Sequence, residues 1–181
     1  MRALLYVLLT VAPDLPDTSR SELIAEATTI WARTGVHLEW IAAADGTVAP
    51  EPMLRVLVIP RRRPDTSSGD RQVLGEVVSL GRPGAVAIVS IQRAEGLVSA
   101  WRRPAVVPPA YHQDQVGLVL GRVVAHEIGH YLLNSRSHAR TGLMRETFEV
   151  AELVDRRSRT FDLDAASAVG LPDRVGPGVT R

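Results

Sequence analysis

From residue 114 to residue 133 the chain contains no proline, and Val116, Val119, Leu120, Val123, Val124, Ile128 and Leu132 fall three or four apart. That periodicity predicts one long helix, opened by Asp114 as N-cap and carrying a continuous apolar face. A helix of this length needs partners on that face. A chain of 181 residues that is 45% hydrophobic can supply them in one core, and is too short for two ordinary domains. The apolar stripe therefore constrains the fold to a single layer of sheet or helix packed against this helix.

The remaining segments predict what that layer is. Residues 3–12 form an apolar run rich in β-branched and aromatic side chains, which suits a buried strand. Arg2 in front of the run also has the pattern of a short export signal, but Pro13 directly follows the only small-residue cleavage position, and the strand reading is preferred. A cytoplasmic location is accordingly favoured over a secreted one. The run is too short for the roughly twenty apolar residues of a membrane span.

After a Pro13, Asp14, Pro16, Asp17 turn, Ser19 and Glu22 have capping-box spacing. Leu23, Ile24, Ala27, Ile30 and Trp31 then recur as one helix face, and Gly35 closes it. Strands are predicted at residues 37–41, 53–59, 74–80 and 85–92, with turns at Asp45-Gly46 and at residues 81–84 and a polar, arginine-rich loop over residues 61–71. A short helix at residues 94–101 leads into a proline-bearing connector at residues 102–112. Beyond the long helix, residues 148–157 and 163–168 have helical spacing. These elements make one α+β domain over residues 1–169, an N-terminal part to residue 134 and a small helical C-terminal part from 135, followed by a flexible glycine- and proline-rich tail at 170–181. Tryptophans 31, 40 and 101 and Met53 are assigned to the core or its rim.

Composition excludes several chemistries. No cysteine is present, so disulfides, thiolate nucleophiles and sulfur-bound zinc are all ruled out. Twenty-one basic and twenty acidic side chains leave a formal charge of +1, without the cationic field that nucleic-acid binding draws on. Any metal must be held by nitrogen and oxygen.

The long helix offers such a site. His126, Glu127, Ile128, Gly129 and His130 form an HExxH sequence, and residues four apart on a helix share a face about 6 Å apart along the axis. Two imidazoles can then grip one ion. Three protein ligands around zinc leave a fourth position for water, and Glu127 beside it can act as general base. Asn134 tolerates the left-handed conformation that ends a helix, so the chain can turn and return His138, eight residues beyond His130, as third imidazole. Glu149 and Glu152, nineteen and twenty-two residues after His130, are the competing third ligands, in the range used by thermolysin-like enzymes; otherwise they are helix-surface charges paired with Arg156 and Arg157. His37 reads as an outward strand residue and His112 as part of the connector.

The sequence HEIGHYLLNSRSH followed by Gly142-Leu143-Met144 resembles the metzincin clan of zinc endopeptidases, whose pattern is HExxHxxGxxH and then a methionine turn. The third histidine falls two residues later than in that pattern, and the helix-ending glycine is replaced. The resemblance implies Zn2+ on His126, His130 and His138, Glu127 as general base, and Met144 as the floor of the site. It also implies the fold: a five-stranded, mixed, twisted sheet with an N-terminal helix, then the active-site helix. One strand, at residues 74–80, would be the antiparallel edge strand, with Gly75, Glu76, Val77 and Val78 pairing with an extended peptide or protein substrate. The string AHEIGHYLL is similar as well to small cytosolic peptidases that cut transcriptional regulators. From another class, a zinc-stabilised binding or regulatory module without turnover fits the same residues.

Overall fold

A computed structural model describes residues 3–42, 53–60, 74–78, 80, 84–101, 108–169, 171 and 176–177. In chain order the elements are β1 (Ala3–Val11), α1 (Asp17–Ala32), β2 (Val36–Ala42), β3 (Met53–Ile59), β4 (Gly75–Val78), β5 (Val86–Ser90), α2 (Ile91–Trp101), α3 (Pro109–Leu133), α4 (Val150–Val154), α5 (Ala165–Ala168) and β6 (Gly176–Pro177). The Asp45-Gly46 turn, the arginine-rich loop and residues 102–107 of the connector lie outside the described residues.

The sheet order is β2-β1-β3-β5-β4. β1 is parallel to both β2 and β3, β3 is parallel to β5, and β4 alone of this series runs antiparallel, pairing Gly75 with Val89 and Val78 with Val86. This is the mixed five-stranded α+β architecture expected, with β3 as its central strand and β4, among the described residues, at an edge. Alternation places Leu5, Val7 and Leu9 of β1 and Leu54, Val56 and Val58 of β3 in the core, and α1 and α3 cover that face.

α1 and α3 approach closely because α3 has no side chain where α1 crosses it. A Cβ at Gly117 would lie 2.5 Å from Ser19 O, and one at Gly121 would lie 2.8 Å from Leu23 O. Farther along, the Trp31 indole N–H donates to Ala125 O at 3.1 Å. A stripe of small residues at every fourth position thus seats one helix on the other, and the sequence pattern of apolar residues alone does not reveal it.

Several boundaries differ from expectation. α1 begins at Asp17, and Ser19 does not cap it; its hydroxyl is buried and donates to Gln113 O at 2.8 Å, tying α1 to α3. α3 begins at Pro109 rather than after Asp114, so His112 is helical and not in a loop. Proline at the first helical position has a suitable φ and no N–H to leave unsatisfied, which makes Pro108-Pro109 a start signal as much as a loop signal. β5 turns directly into α2 at Ile91. Trp101 is half exposed rather than core. Within residues 170–181, where a tail was expected, Leu171 is buried and Gly176–Pro177 pairs antiparallel with β1. Among the described residues no helix is long and apolar enough to cross a membrane.

Candidate metal centre

His126 and His130 stand one turn apart near the C-terminal end of α3. His126 Nδ1 lies 2.7 Å from Leu143 O, and His130 Nδ1 lies 2.7 Å from Ser135 O. A carbonyl oxygen can only accept, so each Nδ1 carries the proton and each Nε2 presents a lone pair. The two Nε2 atoms are 3.0 Å apart. Two lone pairs facing each other at that distance repel unless a cation sits between them. Nitrogen ligands of tetrahedral zinc, at about 2.0–2.1 Å from the ion, stand roughly 3.3 Å apart, so the pair needs only a small adjustment to hold one.

The third imidazole arrives by a turn. Asn134 adopts φ 47° and ψ 41°, the left-handed conformation, and its N–H bonds back to the carbonyls of His130 and Tyr131. This ends α3 and reverses the chain, and Ser135 N then donates to His130 O at 3.2 Å. His138 comes back with its ring centroid 5.4 Å from that of His126 and 5.0 Å from that of His130. One ligand atom from each of the three histidines lies within 4.8 Å of the others, the single group of this kind among the described residues. Three imidazoles on one point fit a divalent metal ion.

The turn beneath is built by its own backbone. Gly142 has φ 75°, and a Cβ there would meet Asp162 O at 2.5 Å. Leu143 N donates to Asp162 O at 2.8 Å, and Ala139 N donates to Met144 O at 2.8 Å. Met144 is fully buried, its sulfur pressed against the α3 backbone at Gly129, where a Cβ would overlap Sδ. Met144 thus packs on Gly129, the residue before His130.

Glu127 is buried and faces β4. With the three histidines it lines a cleft of about 610 Å3, bounded on one side by Gly75, Glu76 and Val77 and on the other by Arg145, Phe148 and Phe161. Val78 is exposed on β4. Burial pushes the His126 imidazole down to about 4, against the opposing pull of the Leu143 carbonyl, and the neighbouring histidines push in the same direction as burial. Burial likewise lowers His130, opposed by the Ser135 carbonyl and helped by His138 and Arg136. Both rings are held neutral, the form that binds metal.

The competing carboxylates are engaged elsewhere. Glu152 accepts from Arg145 at 2.8 Å and from Glu149 N–H at 3.0 Å, while Glu149 is exposed at the start of α4. Neither joins the imidazoles, and Glu152 pairs with Arg145 rather than with Arg156, which is bonded to Glu22. His37 is exposed on β2, 4.0 Å from Glu39.

One residue that sequence reasoning passed over organises the surroundings. Arg122, one turn before His126, is buried; its Nε donates to Glu26 at 2.8 Å, and its other nitrogens donate to Glu152 O and to Asp155 O at 2.9 Å. Its guanidinium lies 4.4 Å above the Phe161 ring. A single arginine inside an apolar helix face was the available signal.

No family model and no curated protein matches the sequence. Among solved structures the chain is similar to archaemetzincin from Methanopyrus kandleri, with a TM-score of 0.55 at 14% identity, over 94% of this chain and 93% of that one. The two share a metzincin-like fold across nearly their whole lengths.

Proposed function

We propose that this chain is a zinc-dependent peptidase, hydrolysing a peptide bond in an extended segment of a peptide or protein. The observation that carries the reading is the convergence of three imidazoles, two of them with their Nε2 lone pairs locked toward one point, in a cleft that also contains Glu127. The archaemetzincin-like fold supports it. Imidazole donors alone accept several transition metals, and zinc is the choice that couples this donor set to hydrolysis without redox chemistry.

When bound, zinc would supply a Lewis acid that polarises the scissile carbonyl and makes water nucleophilic near neutral pH. The chain's own residues do the rest. His126, His130 and His138 hold the ion, and the Leu143 and Ser135 carbonyls orient two of those rings. The Glu127 carboxylate takes a proton from the attacking water and returns it to the departing amine, so that one water and one peptide bond become an acid and an amine. Gly75, Glu76, Val77 and Val78 form the edge strand of the sheet among the described residues, along which an extended substrate can add as a further strand. Met144 supports the imidazoles from below.

The test measures zinc content of the wild type and of Glu127→Gln, together with cleavage of an unstructured polypeptide. One zinc per chain in both, with turnover reduced about 100- to 10,000-fold in Glu127→Gln, is expected. Zinc in both with no cleavage by either would favour a metal-stabilised binding module; no zinc under any loading condition would end both readings.

A further inference from the structure

β4 carries a residue that strand formation disfavours. Glycine adds no side chain to a sheet and has more backbone entropy to lose, whereas a β-branched residue would be better by about 1 kcal/mol. Gly75 lies on the strand face that Val77, two residues on and buried, also uses. That face meets α3. A Cβ built on Gly75 would stand 2.8 Å from Val123 Cγ1, 2.9 Å from Glu127 Oε1 and 3.2 Å from Glu127 Cγ. Carbon atoms settle at roughly 3.5–4.0 Å from one another, so the volume a side chain would need is already occupied. Two of those three atoms belong to Glu127, one of them a carboxylate oxygen.

We propose that Gly75 is a positioning residue for Glu127, its bare backbone forming the wall against which the carboxylate is seated beside His126 and His130. The proposal rests on the peptidase reading for its consequence but not for its geometry. Two requirements compete at this point. β4 must lie near α3 for a strand added at its edge to pass over the imidazoles, and the acid must have room between them. Any side chain at position 75 meets one requirement at the expense of the other. β4 is held by its pairing with β5 and by Ser90 N donating to Leu74 O at 3.1 Å. A glutamate side chain turns about its own bonds at a cost of about 1 kcal/mol. The carboxylate, together with the Val123 methyl, is therefore what gives way when a methyl is added, and a displacement of about 1 Å in a reacting group lowers a rate about 100-fold.

The test is Gly75→Ala, read three ways. The crystal structure of the metal-free variant should show Glu127 Oε1 displaced, with the His126 and His130 rings and the β4–β5 register as in the wild type. Zinc content should be unchanged. On a peptide substrate kcat should fall 10- to 100-fold with KM within about twofold, and the same substitution made in Glu127→Gln should cost no more than about twofold, because two changes acting through one group are not additive. An unmoved carboxylate, an equal penalty in the Glu127→Gln background, or a rise in KM alone overturns the proposal. Should Gly75→Ala fail to fold, Gly75→Ala with Val123→Ala removes the methyl overlap and carries the same measurements. A wild type that cleaves nothing overturns the peptidase reading, while the displacement of the carboxylate still decides the role of Gly75.

Discussion

At the scale of single residues the site is governed by what each histidine can still do once its other nitrogen is committed. Carbonyl acceptors at Leu143 and Ser135 fix the tautomers of His126 and His130, and the exposed His138 completes the set. His138→Ala should therefore weaken zinc binding by more than the roughly 10- to 100-fold that loss of an outer hydrogen-bond partner brings, whereas Glu152→Gln should leave it within about twofold; competition with a zinc-binding dye reads both. Gly129 makes a second residue-scale prediction. Alanine is the better helix former by about 1 kcal/mol, yet its methyl would overlap the Met144 sulfur, and overpacking a filled core costs about 1–3 kcal/mol. Gly129→Ala should lower stability by about 1 kcal/mol, and Gly129→Ala with Met144→Ala should recover the overlap component. Both are checked by urea unfolding of the metal-free protein.

Between elements, Arg122 is the joint. It reaches Glu26 on α1 and two carbonyls at the end of α4, and it covers Phe161, so that three segments distant in sequence meet on one guanidinium. Removing one partner of a buried ion pair leaves the other charge uncompensated, typically at about 3–5 kcal/mol. Arg122→Leu should lose stability of that order, measurable by urea unfolding, and Arg122→Leu with Glu26→Leu should be less destabilised than the single change. This joint also accounts for what the sequence conceals. The helix and the His126, Glu127, His130 face are legible because i, i+4 spacing is a local property, and the return of His138 is legible to the extent that asparagine tolerates positive φ. Arg122, the small-residue stripe at Gly117 and Gly121, and the shortening of the predicted 148–157 helix to α4 all depend on partners far along the chain. The arginine that takes the carbonyls of Glu152 and Asp155 helps end α4, and nothing within residues 148–157 encodes that arginine. The early start of α3 failed for a different reason: Pro108-Pro109 supports two local readings, and the contacts of Thr18 and Ser19 with Gln113 accompany the helical one.

For the whole molecule, the imidazoles link metal, protons and folding. In the folded, metal-free chain burial holds His126 at about 4, against about 6.5 for an exposed imidazole, and His130 is lowered in the same direction. The unfolded chain thus binds more protons over this interval, and stability rises with pH wherever that is so. The contribution is fully present above about pH 6.5 and is lost as the pH falls toward about 4. Each tenfold step in acidity is worth about 1.4 kcal/mol, so His126 sets a loss of up to about 3 kcal/mol across the window. Urea unfolding in the presence of chelator should show the midpoint falling from pH 7 to pH 4.5, and His126→Gln should flatten that slope, because a side chain that takes no proton carries no burial penalty at pH 4.5. Zinc acts on the same equilibrium from the other side: a metal that binds only the folded chain adds about 4 kcal/mol when present at a thousandfold its Kd. Because folding has already kept His126 neutral, protons should compete with zinc for that ring only at lower pH than for a free imidazole. A metal-free unfolding midpoint that stayed level from pH 7 to pH 4.5 would contradict the buried, neutral His126 on which this linkage depends.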